Sequence, residues 1–421
     1  MSNSTLEPNV YPRYRWIILA VLFLATTVNY YDRVVYSITV GYLKEALQIG
    51  DLEYGYGVTA FQFAYMIGFL IAGRLIDLLG TRSGLSLSMF LWSLAGGLTA
   101  VSVGPMSLSI SRGVLGFTQA SHFPAANKCV AEWFPPRQRA FAFSLVNSGP
   151  SIAIMTCGLI VAWIVSTSGL NVSWKWTYGL FSAVGIVLSV LWLFMYRSNA
   201  QIIQGKENTG EASDETVRWL DLVKVRKIWG IMVCKFCGDP VWWFYLSWLP
   251  AYLLDKRGFD LKGVAYALPV IYGASVVFSI LAGWITGWLI KRGMHPLQAR
   301  KRMMLICAAC MPISALAGFT GNGAMIILLV ALACSAHTAW STNNFSLVSD
   351  CVKKEWVGST TGLAGFAGAV GGVLITGVVS TWLITTLGYA PIFILMGCLH
   401  PLAVLCLYLC VKPKPIKATT V

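Results

Sequence analysis

The sequence predicts an all-α integral membrane protein, twelve helices in two six-helix bundles, and three observations predict it. Of the 421 residues, 57% are hydrophobic and only 11% are charged, whereas soluble domains carry about a quarter charged residues. Runs of ~20 apolar residues, long enough to cross a bilayer as helices, follow one another with short polar turns between them. One long polar stretch interrupts this rhythm midway, with almost no large apolar residue between Arg197 and Trp219. It reads as a linker. The chain therefore divides into an N-terminal bundle (1–196), a linker (197–227) and a C-terminal bundle (228–421).

Taken in order, the spans fall at 16–43, 54–79, 84–103, 106–133, 139–166 and 173–196, then 228–254, 263–290, 302–320, 323–349, 356–385 and 389–411. Six spans, a linker and six more is the layout of a transporter built from repeated halves. The net charge of +14 would suggest nucleic acid in a soluble chain. Here topology accounts for it, because Arg and Lys gather in the loops that stay inside. An N-terminus inside places Arg13, Arg15, Arg82, Arg137, Arg139, the linker cations, Lys291, Arg292, Arg300 and Lys412 there. The opposite loops hold few cations, chiefly Lys44, Lys256, Arg257 and Lys262. Both termini are expected in the cytoplasm. The first residues lack the basic region and small-residue cleavage site of a signal peptide. The 11 cysteines are scattered, as at Cys157, Cys307, Cys334 and Cys406, without metal or disulfide spacing. No cofactor is expected.

Within the first span, Asn29, Tyr30, Tyr31, Asp32 and Arg33 break an apolar run. An Asp and an Arg at membrane depth are costly unless they line a wet cavity or pair, so they read as functional. The plainer reading is an ion pair tying two helices together. Adjacent residues lie ~100° apart on a helix, so Asp32 and Arg33 need partners elsewhere.

The loops show the repeat. Gly73, Asp77, Gly80 and Arg82 follow the second span; Gly283, Lys291 and Gly293 follow the eighth without the acid. The first set resembles the loop motif of the major facilitator superfamily, and the second is a weaker copy. Asp77 is suited to a helix N-terminus or a basic partner across the halves, a gating contact. In the fourth span Arg112, Gly116, Gln119, His122, Phe123 and Pro124 lead to Trp133, Phe134 and Pro135. Together with Tyr30, Asp32 and Arg33, these resemble the anion:cation symporter family, closest to its bacterial hexuronate and sugar-acid:proton members. Lys235, Asp239 and Pro240 in the seventh span, and His337, Trp340, Ser349 and Asp350 in the tenth, fit the same pattern.

The resemblance implies an importer of an organic anion, most simply a hexuronate, by proton symport and alternating access in a bacterial inner membrane. Its partners are the anion, protons and the bilayer, not nucleic acid, and the chain is read as a monomer. Arg33 then contacts the substrate carboxylate, for which its planar donor fork is suited. Tyr30, three residues earlier, shares that face. Tyr65 matches a second substrate tyrosine, against the alternative of an ordinary core residue. Asp32 is the expected proton carrier, because a buried carboxyl beside cations is poised to gain and lose a proton. Arg112 is its expected partner.

Gln119 departs from the family, which usually has Glu there, and Gln cannot titrate. Coupling through Asp32 alone, help from His122, and uncoupled transport all stay open. Lys235 and Asp239 are four apart and read either as a self-satisfied pair or as cavity residues. His337, Trp340 and Asn344 fall at i, i+3 and i+7, with Asn343 beside them. They are expected to form a polar and aromatic sugar-binding face. Asn147 and Ser151 are expected on the same cavity. The family's Gln and Asn positions for linear sugar acids fall on Pro150 and Gly365, which leaves aldonate, glucarate or aromatic acids as alternative cargo. A receptor of transporter ancestry and an intramembrane enzyme are the other classes. The intact Asp32, Arg33 and Arg112 argue against the first, and no nucleophile cluster supports the second.

Overall fold

The computed structural model describes residues 13–168, 170–196, 222–259 and 261–411. These are helical almost throughout, and residues 197–221 of the expected linker lie outside them. The first span, Tyr14–Ile38, ends at Thr39, whose hydroxyl donates to the Val35 carbonyl; a short helix, Val40–Leu47, follows. The second and third spans form one continuous stretch, Asp51–Ala100, turned back at Gly80. Gly80 has φ 75°, a backbone state that side chains disfavour. That explains the glycine in the loop motif.

The fourth span is broken into Pro105–Gln119 and His122–Trp133. Pro124 has no N–H to give the Ala120 carbonyl, so the hydrogen-bond ladder fails there, just beyond Gln119. The fifth is Pro136–Asn147 with Gly149–Ser168, and the sixth is Leu170–Met195. The second half runs Arg226–Arg257, Leu261–Lys291, Pro296–Ser314, Gly323–Cys351, Val357–Gly371 and Ala390–Cys410. The eleventh span does not end at Gly371. It widens into a π-helix over Gly372–Val379 and resumes at Ser380–Leu387.

Among the described residues nine helices are long and apolar enough to cross a membrane. One of these, Leu52–Ala100, holds two passes because of the turn at Gly80. The fourth and seventh spans complete the twelve. The fourth is split in two, and the seventh carries Lys235 and Asp239 among many Trp and Tyr. Leu159, Phe194, Val270 and Leu405 are exposed, as lipid-facing side chains are.

The two largest apolar cores among the described residues divide between the halves. One is built from residues between Ile231 and Val411, with Ala131 from the first half. The other gathers residues between Ile18 and Tyr196, with Phe345 from the second half. The halves meet closely along two seams near the ends that carry Tyr14, Tyr196 and Arg226, called here the linker face. A side-chain carbon at Gly73 would lie 2.5 Å from the Gly358 carbonyl oxygen, and one at Gly283 would lie 2.7 Å from that of Ala140. Glycine lets the second span meet the eleventh, and the eighth meet the fifth, backbone to backbone.

Candidate functional site

The charged residues of the first span are held by the fourth. Arg33 Nε donates to Gln119 Oε1 at 2.8 Å, and Nη2 donates to Asn29 Oδ1 at 3.2 Å. Gln119 Nε2 donates to the Asn29 carbonyl at 3.0 Å and, more weakly, to Asp32 Oδ2 at 3.4 Å. The amide therefore accepts from a cation and donates to acceptors at once, which a carboxylate cannot do. Arg33 also lies over Tyr65 and Tyr30, 4.4 and 4.7 Å from the ring centroids. Its Nη1 is buried and has no partner.

Asp32 and Arg112 meet differently from the expected carboxylate pair. Arg112 Nη1 donates to the main-chain carbonyl of Asp32 at 3.1 Å, and its guanidinium packs over Tyr36 and Phe61, at 4.1 and 4.7 Å. The Asp32 carboxyl turns the other way. Its Oδ1 faces Gly96 of the third span and has no hydrogen-bond partner. His122 is not beside this pair. It is fully buried against Trp92, with Nε2 2.8 Å from the Thr26 hydroxyl, because the break after Gln119 turns the next residues into the bundle core.

Two cavities meet at this point. A central one of ≈ 70 Å³ is lined by Tyr30, Tyr65 and Asn147 from the first half and by Lys235, Asp239 and His337 from the second. A larger one of ≈ 500 Å³ is lined by Arg33, Tyr36, Arg112, Tyr54 and Gln62. Tyr30, Trp242 and Trp243 line both. The larger cavity reaches Ile38 and Val58 at the ends of the spans remote from the linker face. A side pocket of ≈ 320 Å³ lies between Gln62, Trp248 and the π-helix at Gly372.

On the second half Lys235 Nζ donates to Asp239 Oδ1 at 2.8 Å and sits over Phe345 at 4.3 Å. A side-chain carbon at Gly368 would lie 2.1 Å from Asp239 Oδ2, so glycine there makes room for the carboxylate. His337 stacks on Trp242, and its Nδ1 is 3.3 Å from His400 Nε2.

The tenth-span face differs from the expected one. His337, Thr338, Ser341 and Phe345 reach the cavity, at i, i+1, i+4 and i+8. Trp340 is one residue back, fully buried against Gly238 and His400. Asn343 holds the eighth span, accepting from the Thr286 hydroxyl at 3.0 Å and donating to the Ala339 carbonyl at 2.9 Å. Asn344 is buried and does not line the cavity. Ser151 lies in the seam between halves, 3.3 Å from the Ser275 hydroxyl. Pro150 and Gly365 do line the cavity.

Sequence reasoning named Asn29 within its polar stretch without a role, and assigned none to Trp242, Trp243, Phe345 or His400. Only Trp242 and Trp243 had a visible signal, two adjacent large aromatics after Pro240 and Val241 in a charged span.

The linker face is closed by polar bonds between the halves. Asp77 accepts from the Gly358 and Ser359 amides, at 3.1 and 2.6 Å, at the start of the eleventh-span helix, and from Lys128 at 3.0 Å. Unpaired helix N-terminal amides favour such a carboxylate. Arg82 stays within the first half, donating to the Leu193 carbonyl at 2.8 Å. At the other seam Asp350 takes Arg139 at 2.9 Å and Arg300 at 2.5 Å. Arg300 also donates to the Pro136 carbonyl at 2.8 Å. Asn127 donates to the Thr361 hydroxyl at 2.8 Å and accepts from Ser349 at 3.1 Å. The cavity is thus sealed towards the linker face and widest towards the opposite one. Among the described residues no three His, Cys, Asp or Glu side chains group as a metal site.

The chain and its fold have known counterparts. The hexuronate transporter of Escherichia coli (strain K12) is 27% identical over 417 residues, covering 95% of each chain. The D-galactonate transporter of Escherichia coli O6:H1 is 27% identical over 399 residues, covering 90% of this chain and 91% of the relative. The solved proton:xylose symporter XylE bound to 6-bromo-6-deoxy-D-glucose shares the fold, with a TM-score of 0.77 at 16% identity over 95% and 96% of the two chains. The model of the Major Facilitator Superfamily matches residues 22–376. The chain belongs to the major facilitator superfamily and is an integral membrane transporter, not an enzyme.

Proposed function

We propose that this transporter imports an organic anion, a hexuronate such as glucuronate or galacturonate, by proton symport. The observation that carries this reading is the spare Nη1 of Arg33. It is a buried guanidinium nitrogen without a partner, on a side chain that lines the outer cavity. A buried donor left unmet is costly, and a carboxylate supplies the charge-assisted bond it lacks. Tyr30, Tyr65, Asn147, Ser341 and His337 offer hydroxyl, amide and imidazole groups to sugar hydroxyls, while Trp242 and Trp243 offer flat apolar walls to a ring. Relatives named for hexuronate and galactonate transport support the class.

Asp32 carries the proton in this reading. In this reading its ionised carboxyl is held by the weak bond from Gln119 and by the charges of Arg33 and Arg112 nearby, and protonation weakens that hold on the fourth span. The seams at Asp77 and Asp350 then open as the outer cavity closes, which is alternating access between two packed states. The linker face is cytoplasmic, since its loops carry most of the Arg and Lys. Both termini lie there, and the protein works as a monomer in a bacterial inner membrane. Two observations favour neighbouring readings. Pro150 and Gly365 on the cavity favour a cargo other than a linear sugar acid, and the neutral Gln119 favours a carrier with weakened coupling or none.

The test is proteoliposomes holding a pH dye, given glucuronate or galacturonate outside, with Asp32→Asn beside the parent. Acidification of the lumen by the parent and none by the variant is the expected result. Labelled substrate entering the parent without acidification would overturn symport and leave uncoupled transport.

A further inference from the structure

Among the described residues the cavity layer holds two carboxyls, and they are in different states. Asp239 is closed by Lys235 at 2.8 Å. Asp32 is buried, receives one weak bond from Gln119 on Oδ2, and has nothing on Oδ1. The other buried acids are bonded in the linker-face seams or near them: Asp77 to Lys128 and two helix amides, Asp350 to two arginines, Glu132 to Thr81 and Tyr196. The groups facing Asp32 from packed elements are Arg33 on its own helix, Arg112 and Gln119 on the fourth span, and Cys157 on the fifth; the third presents Gly96. Each histidine of this layer has one nitrogen bonded, His122 Nε2 to Thr26 and His337 Nδ1 to His400 Nε2, while Nδ1 of His122 and of His400 has no partner.

Position 119 decides how many protons this arrangement holds. Its Nε2 points at two acceptors, the Asn29 carbonyl at 3.0 Å and Asp32 Oδ2 at 3.4 Å. An ionised carboxylate there would face both without a proton to give. The amide does permanently what a carboxyl does only when protonated, so it keeps Arg33 aimed at the cavity at any pH.

We infer that the carrier moves one proton per organic anion, on Asp32, and is therefore matched to monocarboxylates. This rests on the reading of a proton-coupled anion importer. One proton and one carboxylate cancel, so a loaded turnover moves no net charge. A dicarboxylate with the same single proton carries one negative charge inward, against an inside-negative membrane. A potential of ~100 mV then changes its steady accumulation about 50-fold, since one charge across it is worth ~2.3 kcal/mol.

Two experiments test this. In the first, proteoliposomes are given glucuronate or glucarate under a pH gradient, with and without an inside-negative potassium diffusion potential. Glucuronate accumulation is expected to follow the pH gradient and stay within about twofold when the potential is applied, and glucarate accumulation to fall. Gln119→Glu, which adds a second carboxyl, is expected to make glucuronate uptake rise with inside-negative potential. Stimulation of the parent by that potential overturns the inference; if His337→Gln then removes it, the second proton sits on the histidine pair. The second experiment needs no cargo. Infrared titration of the purified protein is expected to show one protonated-carboxyl band in the cavity, lost in Asp32→Asn and joined by another in Gln119→Glu. A band that survives Asp32→Asn overturns the inference even if glucuronate proves to be the wrong substrate, whereas the expected bands without glucuronate uptake leave the proton count standing and discard the substrate.

Discussion

The two walls of the cavity contain the same kinds of group and arrange them in opposite ways. On the second half, Lys235 and Asp239 sit four residues apart on one helix and satisfy each other. On the first half, Asp32 and Arg33 are adjacent and diverge, so each is held by the fourth span instead. Sequence spacing explains the difference, since i and i+4 share a helix face while i and i+1 do not. With acids ionised, the first wall has two arginines to one carboxylate, and the second wall is neutral. The first wall therefore suits the anion, and the second suits the ring and its hydroxyls.

Changes that erase this difference are the most informative. Gln119→Leu removes three hydrogen bonds and leaves Arg33 Nε and the Asp32 carboxyl unmet. Each unmet buried group costs ~1–3 kcal/mol, so glucuronate affinity is expected to fall roughly 10- to 100-fold in a binding titration. Asp239→Asn works from the other side by freeing Lys235. A new cation in the cavity worth ~1 kcal/mol at solvent-like screening is expected to tighten a monoanion about fivefold and to lower the melting temperature. An unchanged KM for uptake would mean that the pair is a packing device only. The smallest effect is expected for Trp340→Phe. This side chain is core, so the change should cost ~1 kcal/mol of stability and leave KM within twofold; a large rise in KM would place it on the cargo after all.

Much of the architecture was legible because hydropathy windows see length and polarity. The turn at Gly80 and the helix amides for Asp77 were also accessible, since a glycine and an acid at a helix junction have few other uses. The orientation of the tenth span was not. Residues 335–344 are small or polar on nearly every side, so periodicity has no phase there, and Trp340 and Asn344 were assigned one residue away from the lining positions Ser341 and Phe345. His122 was misplaced because a helix break shifts phase, and Pro124 was its only sign. Arg139 and Arg300 read as topology signals at span ends; only the fold brings both to Asp350. The π-helix at Gly372–Val379 has no pattern a helical window detects.

The contrast between the walls is decided most directly by equilibrium binding of glucuronate to Arg33→Gln and Lys235→Gln, side by side, with the neutral amide of the same sugar as control. A charge-assisted bond is worth ~1.5–3 kcal/mol. The expected result is a loss of roughly 10- to 100-fold for Arg33→Gln, no more than a few-fold for Lys235→Gln, and little change for the neutral amide in either. A larger loss from Lys235→Gln, with Arg33→Gln close to the parent, would contradict the assignment of the anion to the first wall.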